Sequence, residues 1–89
     1  FIIMDINELI AIVKKKIENN TSCEKIEIED KTFLHVNHKN HDSKKFHIKI
    51  IIYSKSLKKI NQIKSKKIIY KILDEELKEF IHSIQISIQ

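Results

Sequence analysis

The sequence predicts a mixed α/β (α+β) domain in the order helix, strand, strand, helix, helix, strand, with a three-stranded mixed sheet and the helices packed on one face. Three observations predict it. Ile69, Leu73, Leu77 and Phe80 are spaced four, four and three, with Asp74, Glu75, Lys78 and Glu79 between them, which gives a helix an apolar stripe and a charged outer face. From His82 the period becomes two, with Ile84, Ile86 and Ile88 alternating with Ser83, Gln85, Ser87 and Gln89. The two helical segments before this strand form a crossover, and a right-handed crossover sets the last strand parallel to the second in one sheet.

The elements follow in chain order. Asp5 with Glu8 resembles a capping box, and Ile6, Leu9, Ile10, Val13 and Ile17 make the stripe of a first helix over about 6–17. Asn19 and Asn20 are expected to supply the left-handed residue that ends it. A strand over about 24–30 points Ile26 and Ile28 inward and Lys25, Glu27 and Glu29 outward. Residues 31–44 read as a polar, His-rich loop. In the strand over about 45–53, Phe46, Ile48, Ile50 and Ile52 face the core, while Ile51 and Tyr53 make the far end apolar on both faces, as in a central strand. Leu57, Ile60 and Ile63 give a short helix over about 57–64, and Ser65 can cap the next, over about 66–80. The last strand covers about 82–88. Residues 1–89 are expected to form a single domain, burying roughly 60% of the unfolded surface.

Composition narrows the function classes. A net charge of +5 favours anionic partners. One cysteine excludes an internal disulfide and fits a reducing compartment. No apolar run approaches the roughly 20 residues of a membrane helix, and no signal peptide is evident, so the expectation is a soluble protein, cytoplasmic or mitochondrial. Phe1-Ile2-Ile3 ahead of Met4 reads as the remainder of a longer chain or an added remnant. Glycine and proline are absent, so turns fall to Asn, Asp, Ser and Lys. A nucleophile with an adjacent base, a phosphate-binding glycine loop and paired buried carboxylates are all missing, which argues against an enzyme.

If the strands starting near 45 and 82 are parallel neighbours, their starts share one end of the sheet. His82 then approaches the loop that carries His35, His38 and His41. On sequence alone the loop histidines are either solvated or metal-binding, and His82 is either a packed ring tied to a carbonyl or a ligand. His47 shares parity with Lys49 and is expected to face solvent. Cys23 reads as a boundary thiol, and Tyr70 as packing.

The run FHIKIIIYS, the basic segment SLKKINQIKSKKIIY and then KILDEELKEFIHSIQISI resemble the BolA family without a gap over residues 46–88, the first helix and strand fitting more loosely. The resemblance implies a compact class II KH-like α/β domain. It also implies a role in iron–sulfur or iron homeostasis as partner of a monothiol glutaredoxin. The two proteins would share a [2Fe–2S] cluster, none being bound tightly by this chain, a monomer when alone. The family's ligand histidine before the last strand corresponds to His82, and its His or Cys from the loop between the first two strands to His35, with His38 and His41 as substitutes. Two imidazoles in place of thiolates raise a cluster's reduction potential and make it sensitive to protonation. The chain departs from the family at its Phe-x-Gly turn and Arg-His-Arg run, where it has Leu57, Lys59 and Ser65-Lys66-Lys67. Loss of the glycine at Lys59 implies a backbone that needs no positive φ there, or a reshaped turn.

The rival reading rests on Lys55, Lys58, Lys59, Lys64, Lys66, Lys67 and Lys71, crowded into two closely joined helices that could enter a groove of DNA or RNA. Lys66 and Lys67 at a helix N-terminus would oppose its dipole, a cost that phosphates or an acidic partner could offset. A GxxG clamp, an aromatic stacking platform and arginine for bidentate base reading are all missing, so the same face also suits an acidic protein partner.

Overall fold

The computed structural model describes residues 4–32 and 45–89. Their elements are α1 (Ile6–Asn20), β1 (Lys25–Asp30), β2 (Phe46–Tyr53), α2 (Lys55–Lys58), α3 (Gln62–Ile72), α4 (Asp74–Glu79) and β3 (Ile81–Ile88). The sheet order is β1-β2-β3, with β1 antiparallel and β3 parallel to the central β2. This is the mixed three-stranded sheet that the hydrophobic periods and the right-handed crossover predict.

The core forms where the helix stripes meet the even-numbered face of the sheet. Leu9, Val13 and Ile17 of α1 and Ile69 of α3 pack with Ile48, Ile50 and Ile52 of β2 and with Ile86 and Ile88 of β3. Full burial of each aliphatic side chain contributes about 1.5–3 kcal/mol. Asp5 caps α1, its Oδ1 accepting from the Asn7 amide at 2.8 Å. Ser54, itself buried, caps α2: its Oγ accepts from the Leu57 amide at 3.1 Å and donates to the Ser22 carbonyl at 2.5 Å.

Several local expectations are corrected. The first helix continues through Asn19 and Asn20 and ends on an extended Thr21, and no described residue has positive φ. Lys59, where the resemblance loses a glycine, is right-handed helical at φ −72°, so the turn needs none. Asn61, not Ser65, caps the next helix, its Oδ1 accepting from the Ile63 amide at 2.8 Å. Ser65 lies inside α3, buried, and donates back to the Asn61 and Gln62 carbonyls. An earlier start puts Lys66 and Lys67 mid-helix, clear of the N-terminal dipole. Ile60 and Ile63 do not join Leu57 in the core, because a one-turn α2 breaks the phase of that stripe; Ile63 is 67% exposed. Tyr70 is exposed rather than packed. The segment expected as one helix to residue 80 is interrupted at Leu73, which separates α3 from α4.

Glu76 of α4 is buried, and its carboxylate meets Lys16 of α1 at 2.8 Å. That carboxylate holds the Lys16 ammonium above its ordinary pKa by hydrogen bonding and charge, against the lowering effect of burial. Among the described residues no helix is long and apolar enough to cross a membrane.

Candidate functional site

His82 is the second residue of β3 and stands on a bulge. Phe46 pairs with Ile81 but His47 pairs with Ser83, so β3 spends one extra residue, His82, between two consecutive residues of β2. The extra residue resets the alternation: Ile81 and Ile84 both turn toward the helices, and His82 is left exposed. Of the two readings of His82, the packed ring therefore does not hold. Its backbone is nonetheless fixed, because α4 runs directly into β3 and the Phe46 amide donates to the Phe80 carbonyl at 2.8 Å.

Beside it lies His47, which the sequence reading left facing solvent. His47 does share the open face of the sheet with Lys49, yet it is 5% exposed. The rings of His47 and His82 stand 4.9 Å apart between centroids and are tilted by 59°. On the other side the His47 Nδ1 and the Ser83 hydroxyl are 2.6 Å apart, in a hydrogen bond. The backbone of His47 is held from β1: its amide donates to the Thr32 hydroxyl at 3.2 Å, and its carbonyl accepts from the Lys31 amide at 2.7 Å. Thr32 is fixed in turn by Asp30, whose Oδ1 accepts from its amide and its hydroxyl at 2.9 and 2.6 Å. A chain of short polar contacts thus runs from the end of β1 through His47 to the start of β3. Next to it the open face carries a groove lined by Lys31, His47, Lys49, Ser83 and Gln85.

His35, His38 and His41 lie outside the described residues. The segment that carries them departs after Thr32 and returns before Lys45, and both ends of it lie at the end of the sheet that holds His82. Cys23, half-buried, precedes β1 at the opposite end, where Lys25 pairs with Tyr53. The described donors around His82 are therefore imidazoles and hydroxyls. An exposed imidazole whose backbone is pinned on a bulge suits a ligand offered outward to a cluster, since imidazole nitrogen is an accepted iron ligand. Sequence reasoning missed His47 because its parity with Lys49 gives only the face of the sheet, and neither its burial nor the bulge that sets His82 beside it is a residue pattern.

Of the lysines in the rival reading, Lys55 and Lys58 lie on α2, Lys59 follows it, and Lys64, Lys66, Lys67 and Lys71 lie on α3. Lys66 is half-buried and the others are exposed. Exposed Ile63 and Tyr70, seven residues apart on α3, stand on one side of that helix with Lys66 and Lys67 between them in sequence.

The fold and the site define a class: a small α+β domain with a three-stranded mixed sheet and an outward histidine at the start of an edge strand. A family model described as BolA-like protein matches residues 17–89, and the chain belongs to that family. Among solved structures it is similar to BolA1 from Arabidopsis thaliana, with 24% identity over 89% of this chain and 87% of that one, at a TM-score of 0.73. It is similar also to the BolA domain of SufE1 from Arabidopsis thaliana, with 23% identity over 97% and 93% of the two chains and a TM-score of 0.76. BolA1 from Mus musculus shares 19% identity over 86% of this chain and 60% of its own, with a TM-score of 0.69. No curated protein matches the sequence.

Proposed function

We propose that this BolA-family protein is an adaptor in iron–sulfur or iron homeostasis, not an enzyme, and that it shares or accepts a [2Fe–2S] cluster with a monothiol glutaredoxin. His82 supplies one ligand and the 33–44 segment the second, His35 first, with His38 and His41 as alternatives. The observation that carries this reading is the exposure of His82 on a bulge at the sheet end where that segment departs and returns. A ligand offered from the surface suits a cluster held between two proteins, and imidazole ligation suits one that is passed on.

The test is anaerobic reconstitution with a monothiol glutaredoxin and glutathione, followed by visible circular dichroism. A new spectrum is expected in the mixture with the wild-type protein, lost with His82→Ala and weakened or lost with His35→Ala. A glutaredoxin spectrum unchanged by the wild-type protein would overturn the proposal.

A second reading, nucleic-acid binding, is favoured by the exposure of all but one of the seven lysines on and around α2 and α3. Against a helix-turn-helix, α2 is a single turn, too short to lie across a phosphate backbone while α3 enters a groove.

A further inference from the structure

We infer that His47 is a positioning residue for His82, the side chain that sets the direction in which the outward imidazole points. The inference rests on the reading of His82 as a cluster ligand and names how this chain orients it. Four observations carry it. His47 is nearly fully buried although it lies on the face of the sheet away from the helices. Its ring is fixed at Nδ1 by Ser83, the residue after His82 and its own partner in the β2–β3 register. Its backbone is clamped on both sides by Lys31 and Thr32. The His82 ring stands against it, 4.9 Å away between centroids and tilted by 59°.

An exposed histidine on a strand ordinarily samples several χ1 and χ2 wells, and ordering it on binding has an entropic cost. A rigid ring at one side removes some of those wells beforehand. The bulge changes the setting of this contact: without the extra residue His82 would pair directly across from His47 in the ladder, whereas on the bulge it is exposed and the His47 ring keeps one side of it. Ser83 has two linked duties, since its hydroxyl fixes the wall and its backbone fixes the bulge. Hydrogen-bonded partners of a liganding histidine are worth roughly 10–100-fold in metal affinity or activity when removed, and a ring contact stands at or below the lower end of that range.

The experiment has a readout that needs no cluster. Side-chain relaxation of the His82 ring is measured by NMR in the protein alone, for wild type, His47→Ala, His47→Phe and Ser83→Ala, with the methyl spectrum of the core isoleucines as the check on folding. Wild type is expected to show a restricted His82 ring, with an order parameter that falls in His47→Ala and is largely restored in His47→Phe, which keeps the wall. Ser83→Ala should fall between them, and it decides the question if His47→Ala does not fold. Equal His82 order in wild type and in the folded variants would overturn the inference. In the glutaredoxin mixture, the same variants should lower the affinity for the shared cluster by up to about tenfold in the same rank order. Failure of the wild-type mixture to form a cluster would sink the proposed function, and the ring measurement would still decide whether His47 positions His82.

Discussion

Half-buried Lys16 and buried Glu76 show how much one ion pair can ask of two helices. Lys16 stands seven residues after the core residue Leu9 of α1, and Glu76 seven residues after Ile69, across the break at Leu73, so each lies close to the core-facing phase. They meet at 2.8 Å, and Glu75 adds a longer contact to the same ammonium at 3.7 Å. Removing the ammonium leaves a buried carboxylate without its cation, so Lys16→Met should cost about 1–3 kcal/mol in denaturant unfolding. The double variant Lys16→Met/Glu76→Leu should recover most of that loss, because an apolar pair of similar volume has no charge to desolvate. A loss within ±0.5 kcal/mol, the scale of an ordinary surface change, would show the pair to be dispensable. The pH dependence follows from the raised pKa of Lys16. Its stabilisation is fully present below the unfolded lysine value of 10.5 and is lost as pH rises through the higher folded value. The gap between wild type and Lys16→Met should therefore narrow as pH rises into the strongly alkaline range. Here the sequence was legible and misread: a helical wheel anchored on Ile69 puts Glu76 inside the stripe, whereas counting only apolar residues passes over it.

Among the elements, those with long unbroken periods were the readable ones. The alternation in β1, β2 and β3 predicts their order, faces and central strand, because a period of two over six to eight residues leaves no second register that buries the same face. The bulge was not readable: Ile81 and Ile84 are both apolar, and that spacing of three looks like the last turn of a helix running into a strand. The α2–α3 region failed for a related reason. Without glycine or proline to mark the turn, Leu57, Ile60 and Ile63 look like one continuous stripe, and only the cap at Asn61 shows where the helix restarts. That assignment has a direct check. Asn61→Ala should lower stability by about 1 kcal/mol through loss of the bond to the Ile63 amide, and Asn61→Asp should be nearly neutral, both read from thermal unfolding. If Ser65 were the cap instead, Asn61→Ala would be silent.

At the scale of the molecule, charge is distributed unevenly. A net charge of +5 is concentrated on α2, α3 and their junction, while β1 and the start of α4 are acidic. Such a face will bind polyanions whether or not binding them is its function. Duplex DNA binding should accordingly weaken with salt, with a slope of log K against log salt no steeper than about −6 if every one of the seven lysines met a phosphate. Titrations of a random and a selected duplex over a salt series will separate the two readings. Equal affinities at each salt concentration leave only non-specific attraction, whereas a preference that persists as the ionic contribution is screened would revive the regulator reading.

The backbone itself carries one more consequence. Throughout the described residues every φ lies in territory open to all L-amino acids, turns and helix ends included. Glycine usually exercises a veto in evolution, since a turn that requires it cannot drift to another residue without strain. Here no described turn holds that veto. Thr21, Lys59 and Leu73 end or interrupt helices with ordinary geometry, so what constrains those positions is side-chain burial and bonding alone. A lineage with a skewed amino-acid supply can rewrite such a domain position by position and keep its fold, and the same freedom makes it a convenient scaffold for building with a reduced alphabet.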